Sequence, residues 1–138
     1  MPTEEQRDIE ARVRGALEAL VRGDTTAWSG LFAADGVQEF PYAPEGSPRR
    51  VEGRDAIAEY LAAYPETLRL HRIGPIAWRH DGGAAIAEFE VEGTAVRTGK
   101  PYNQRYISVI EHRGGEVLRY VDYWNPLVVL KALGGAYK

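Results

Sequence analysis

The sequence predicts an α+β fold in which three helices pack on a strongly curved antiparallel sheet and close a cone-shaped pocket. Two observations carry that prediction. Over the first half of the chain apolar residues recur every three or four positions, and over the second half every two. The second half is also interrupted at Asp81-Gly82-Gly83, Gly99-Lys100-Pro101 and Gly114-Gly115, breaks short enough to be hairpin turns. Helices followed by a run of hairpins give a layered α+β fold. Long strands twist enough to curl such a sheet around one face. At 138 residues the chain is expected to form one domain, 1–138.

The first helix is expected from Glu4 to Arg22, because Ile9, Val13, Ala16, Leu17 and Leu20 fall on one stripe. Thr3 and Gln6 form a capping box, and Gly23 is its stop. Asp24 is expected to cap a second helix running through Trp28, Leu31 and Phe32 to near Gly36. Val37 to Tyr42 reads as a short strand, cut off by Pro41 and Pro44, and Ala43 to Gly53 as a loop. A third helix follows from Arg54 to about Tyr64, with Ile57, Tyr60 and Leu61 on its apolar side and Pro65 ending it. Four strands are then expected as an antiparallel meander: Thr67 to Trp78, Ala84 to Arg97, Tyr102 to His112 and Glu116 to Trp124. Gly74-Pro75 marks a kink or bulge in the first of them. The apolar run from Leu127 to Tyr137 is expected to pack across a sheet or a partner subunit, giving a homodimer.

Composition removes several functions. There is no cysteine, so disulfides, thiolate nucleophiles and zinc-thiolate sites are excluded. Seventeen basic and 20 acidic residues give a net charge of −3, and the arginines are scattered, so neither a nucleic-acid nor a membrane partner is expected. The N-terminus lacks the apolar run of a signal peptide, and no stretch approaches a membrane span, so the expected location is cytoplasmic.

Asp122 is the first catalytic candidate. Leu118, Tyr120, Asp122 and Trp124 share one face of the last strand. A carboxylate between two rings is partly desolvated, which raises its pKa toward the range useful for proton transfer. The other reading of the same residue is a solvated carboxylate, or one paired with Arg105. Tyr102, Gln104, Tyr106 and Ser108 share a face of the preceding strand, where phenol and amide groups can orient a carbonyl or hydroxyl without adding charge. Trp28, Phe40, Tyr42, Tyr60, Tyr120 and Trp124 are the aromatic residues expected to complete the substrate-binding wall. His71 is a second catalytic candidate, whereas His80 and His112 are expected to be exposed at turn edges. No histidine pair stands at a metal spacing, so neither metal nor cofactor is expected. Glu88, Glu90 and Glu92 alternate with Ala87, Phe89 and Val91 and read as a solvated face, and Arg49-Arg50 as a solvated surface pair.

Three strings carry a family resemblance: FAADGVQEFPYAPEGSPRRVEGRDAIAEYL from Phe32, PYNQRYISVIEHRGGEV from Pro101, and RYVDYWNPLVVLKALG from Arg119. With the order of elements, they make the chain similar to the SnoaL-like branch of the nuclear-transport-factor-2-like superfamily, which includes polyketide cyclases and phenazine-biosynthesis A/B-type proteins. The resemblance implies a cystatin-like roll with a pocket, and it sets Asp122 where those members carry an acid/base carboxylate. It also implies a departure. Ketosteroid isomerase uses an aspartate base and a protonated aspartate beside a tyrosine, whereas Phe40 and Ser108 stand at those places here. The expected function is cofactor-independent proton transfer on a hydrophobic, oxygenated small molecule, of cyclase, isomerase or dehydratase type, in specialised metabolism. The alternative is a non-catalytic small-molecule-binding or assembly module on the same fold.

Overall fold

The computed structural model describes residues 1–134. Helix α1 (Glu4–Val21) starts at the expected box: the Thr3 hydroxyl accepts from the Gln6 amide at 3.1 Å, and the Gln6 carboxamide oxygen accepts from the Thr3 amide at 2.8 Å. Its stripe of Ile9, Val13, Ala16 and Leu17 is buried, and the helix packs against the strand Leu68–Ile73.

Helix α2 (Thr26–Ser29) is a single turn. Asp24 does hold its start, accepting from the Thr26 amide at 3.0 Å. The expected extension through Phe32 to Gly36 is wrong, because β1 (Phe32–Glu39) already begins there. Leu31 and Phe32 suit either period, and long-range pairing decides. The Val117 amide donates to the Leu31 carbonyl at 2.8 Å, and Phe32 is registered opposite Val117. The register then shifts before Val37, and only glycine fits in between: a β-carbon on Gly36 would lie 2.9 Å from the Val117 carbonyl oxygen.

Strand β2 (Arg50–Glu52), inside the expected loop, pairs with β1. Helix α3 (Arg54–Ala62) follows, and Pro65 sits in a 3-10 turn, Tyr64–Glu66. The strand expected from Thr67 to Trp78 is two, β3 (Leu68–Ile73) and β4 (Ala77–Asp81). Both pair with β5 (Ala84–Ala95), and the chain leaves the ladder between them at Gly74-Pro75-Ile76. Pro75 has no amide to donate, while the Gly74 amide still reaches the Glu90 carbonyl at 2.8 Å. Strands β6 (Pro101–Arg113) and β7 (Glu116–Trp124) complete the meander through a turn at Gly114 and Gly115, with φ of +60° and +81°.

The sheet order is β2-β1-β7-β6-β5-β3, with β4 also on β5. One correction concerns its kind. The meander is antiparallel, but β1 runs parallel to β7, so the sheet is mixed. It is curved and stays open, with helices against its concave side. Helix α4 (Pro126–Leu133) was expected only as an apolar run. The Asn125 side chain caps it, accepting from the Leu127 amide at 3.0 Å, and Pro126 occupies the first turn. It buries Val129, Ala132 and Leu133 and leaves Leu127 and Leu130 exposed. The end of the run, Gly135 to Tyr137, lies outside the described residues.

Candidate functional site

The concave face of the sheet and helices α1, α3 and α4 line a partly open cavity of about 510 Å³. Sheet register sets its wall. Ser108 on β6 stands directly opposite Asp122 on β7, and Tyr106 opposite Trp124. On the other flank Gln38 of β1 stands beside Tyr120 of β7. The two-residue period therefore brings Tyr120, Asp122 and Trp124 onto the cavity side, all three lining it.

Asp122 is bounded by rings and one hydroxyl. The Ser108 hydroxyl donates to its Oδ1 at 3.0 Å. Burial pushes its carboxyl from the ordinary 3.8 up to about 7, with the Ser108 hydrogen bond acting against the rise. Arg105, the alternative partner, lies on the opposite face and pairs with Glu88 at 3.1 Å and Glu90 at 3.2 Å. Above and below Asp122, Trp28 packs on Tyr120 at a centroid separation of 5.0 Å, and Phe40 lies between Tyr60 (5.2 Å) and Trp124 (5.4 Å).

A phenol cluster lies along the same wall. The hydroxyls of Tyr102 and Tyr106 are 2.8 Å apart. Burial raises Tyr106 and Tyr64 well above the ordinary phenol value, and Tyr102 and Asp122 raise both further. Burial likewise pushes the Tyr120 phenol up, with Asp122 adding to it and Ser108 opposing. These groups are held neutral at ordinary pH, where phenols donate and accept hydrogen bonds without charge.

Of the residues expected at the site, Trp28, Phe40, Tyr60, Tyr102, Tyr106, Tyr120, Asp122 and Trp124 line the cavity. Three do not. Gln104 is buried, but its carboxamide is occupied by the backbone. Its Nε2 donates to the Asn125 carbonyl at 3.0 Å, and its Oε1 accepts from the Asn125 amide at 3.0 Å. Tyr42 is half exposed with its ring against Tyr123, because Pro41 has already turned the chain out of the strand. His71 points away from the cavity on β3; it is exposed and sits 2.8 Å from the Thr94 hydroxyl. The two histidines expected to be exposed are not. His112 is buried, and among the described residues neither of its ring nitrogens has a partner; His80 forms a half-buried pair with Glu10 at 2.6 Å. Among the described residues no cluster of three or more acidic or histidine side chains is arranged to hold a metal.

Sequence reasoning missed Gln38 and Tyr64, which also line the cavity. Gln38 was reachable, since it stands two residues before Phe40 on the same strand face. Tyr64 was not, because its place depends on how the 3-10 turn after α3 aims its ring. Glu59 and Arg97, both exposed, line it as well.

The chain matches the SnoaL-like domain family over residues 13–120. It is 46% identical over 127 residues to the uncharacterised protein YesE of Bacillus subtilis, covering 91% of this chain and 86% of that one. It is 43% identical over 122 residues to an uncharacterised PhzA/B-like protein of Pseudomonas aeruginosa, covering 87% and 86%. The crystal structure of a candidate isomerase from Bacillus subtilis superposes with a TM-score of 0.92 at 41% identity, covering 96% of this chain and 97% of that one.

Proposed function

The chain belongs to the SnoaL-like domain family, within the nuclear-transport-factor-2-like fold, and from that premise we propose that it is a cofactor-independent proton-transfer enzyme. Its substrate is a hydrophobic small molecule bearing a carbonyl, and its reaction is of the isomerase, cyclase or dehydratase type, in specialised metabolism. The observation that supports this most is Asp122: a carboxyl facing an apolar cavity, tuned to about 7. A group with that affinity holds and releases a proton near neutrality, which suits it to act as base and then as acid.

In this reading the Asp122 carboxylate removes a proton from the carbon next to the substrate carbonyl. The C–H electron pair moves into an enolate, whose oxygen takes hydrogen bonds from the wall. The Asp122 carboxylic acid then returns the proton to the same or a conjugated carbon, and Asp122 ends as it began. Ser108 holds one oxygen of the carboxyl at 3.0 Å and so fixes which oxygen meets the substrate. The aromatic walls leave the carboxyl poorly solvated, which keeps its acid strength where the cavity sets it.

The test is α-proton exchange of 2-tetralone in deuterated buffer, followed by NMR. The wild type is expected to speed exchange and Asp122→Asn to lose most of that rate; equal rates for the two proteins would sink the proposal. The proposal extends to a cytoplasmic location and to a homodimer; for the homodimer the exposed Leu127 and Leu130 of α4 are the support. Sedimentation at micromolar concentration that shows monomer alone removes that part. A non-catalytic binding role is the second reading, favoured by the lining: among the described residues its other ionisable groups are neutral phenols and the exposed Glu59 and Arg97. Tight binding of a ligand that is recovered unchanged would select it.

A further inference from the structure

Substrate orientation was expected from Gln104, yet the Asn125 backbone occupies both ends of that carboxamide. The cavity wall holds a second one. Gln38 on β1 is 3% exposed and lines the cavity. The Trp28 indole Nε1 stands 3.0 Å from its Oε1. An indole N–H only donates, so the carboxamide cannot be turned round: its oxygen must face Trp28 and its NH₂ must face away. Among the described residues Nε2 has no hydrogen-bond partner, and it keeps a little accessible surface through which a bound molecule can reach it. A buried amide donor left unpaired costs free energy unless something accepts from it.

Its position suits a carbonyl. Gln38 is registered beside Tyr120, and Asp122 is the next residue along β7 on that face. Neighbouring strands are about 4.8 Å apart and alternate residues roughly 6.6 Å apart, which separates the two backbones by roughly 8 Å. A carbonyl oxygen and its α-carbon, each in contact with one of two groups, fill about that span. We propose that the Gln38 carboxamide is the donor that holds the substrate's carbonyl oxygen, with Trp28 as the positioning residue that fixes which end of the amide faces it. The substrate class is therefore an uncharged ketone or enone on an apolar skeleton, bound with its oxygen toward β1 and its acidic carbon toward β7. The chemical half of this assignment rests on the proton-transfer reading, but the binding half does not.

The probes are 2-tetralone and tetralin, which share a carbon skeleton and differ by the carbonyl. The chain has three glutamines, Gln6, Gln38 and Gln104, and two asparagines, Asn103 and Asn125, hence five side-chain NH₂ pairs in an ¹⁵N spectrum, of which Gln38→Met removes one. On the wild type, 2-tetralone is expected to shift the Gln38 pair and tetralin to leave it in place. In Gln38→Met, of similar length and without a donor, 2-tetralone binding is expected to weaken roughly fivefold to tenfold, as one lost hydrogen bond gives. Tetralin binding should not change. Equal shifts from both ligands, no shift from either, or equal weakening of both in the variant overturns the assignment. The wild-type spectrum decides the matter even if Gln38→Met folds poorly. If the Gln38 pair responds as expected but 2-tetralone shows no α-proton exchange, the proton-transfer reading fails and the binding assignment stands.

Discussion

Replacing Asp122 by asparagine should stabilise the protein in a pH-dependent way, because the cavity makes this carboxyl costly to ionise. Its pKa rises from the ordinary 3.8 to about 7 on folding. Below pH 3.8 both folded and unfolded chains keep the proton, and the group makes no difference to stability. Between 3.8 and about 7 the unfolded chain releases the proton while the folded chain holds it, so stability falls as pH rises. Above about 7 both are ionised and the loss is complete. A rise of this size corresponds to about 4 kcal/mol, a ceiling because water entering the cavity screens the charge. Asparagine keeps the shape and cannot ionise. Urea unfolding of wild type and Asp122→Asn at intervals from pH 4 to pH 8.5 measures the difference directly, and other carboxylates cancel in the subtraction. The variant should gain on the wild type through this range and level off above pH 7. A difference independent of pH, or one that moves against the variant with rising pH, refutes the reasoning.

Ser108→Ala removes the hydrogen bond that holds Asp122 down, so the Asp122 pKa should rise beyond about 7, by roughly one unit. Carboxylate-detected NMR titration reads this, and an unchanged or lower value counts against the Ser108 contact. Gln104→Leu leaves the Asn125 amide without its partner and the Asn125 carbonyl with the Val128 amide alone, and should cost about 1 kcal/mol, with faster amide exchange at the start of α4 than elsewhere. Exchange that quickens uniformly would show that Gln104 does not anchor this helix in particular. Gly93→Ala should cost about 1–3 kcal/mol in urea unfolding, since its β-carbon would meet the Arg69 carbonyl oxygen at 2.7 Å and Leu70 at 3.2 Å. A neutral substitution there would mean that β3 yields easily at its pairing with β5.

The meander was legible because strand period and turn chemistry agree: alternation in β5, β6 and β7 is broken only where glycines allow tight turns. What escaped was non-local or ambiguous. Nothing in Phe32 to Glu39 says that the strand lies parallel to a partner some 80 residues on, as it does beside β7. Leu31 and Phe32 continue the helical spacing of Trp28 as well as they begin a strand, and Val117 settles the matter from outside the segment. Helix α4 left a readable mark, since Asn125 followed by Pro126 is a helix start. Its apolar composition drew attention to packing instead. His112 also had a local signal: it continues the inner face of Tyr106, Ser108 and Ile110, so its burial follows from the period and its place near a turn misleads.

The chemistry of the site turns on which way β7 faces, a choice that a shift of one residue reverses. The outer face shows what the other choice would mean. There Arg119 binds Glu39 at 2.6 Å and Glu111 at 2.9 Å, and Arg105 binds Glu88 and Glu90, so a carboxylate on that side meets guanidinium groups. Glu39 illustrates the result: Arg119 and Arg50 outweigh its burial and hold its carboxyl below the ordinary value. Asp122, opposite Ser108 on the inner face, meets rings and one hydroxyl, and its carboxyl moves the other way. Two acidic residues on adjacent strands of one sheet thus diverge because one faces the arginine network and the other the cavity. The aromatic neighbours Tyr120 and Trp124, two residues to either side, identify which is which. What those neighbours leave open is the group that receives the substrate oxygen. That group depends on Trp28 reaching from α2 to Gln38 on β1, a contact between elements whose relation only the folded chain discloses.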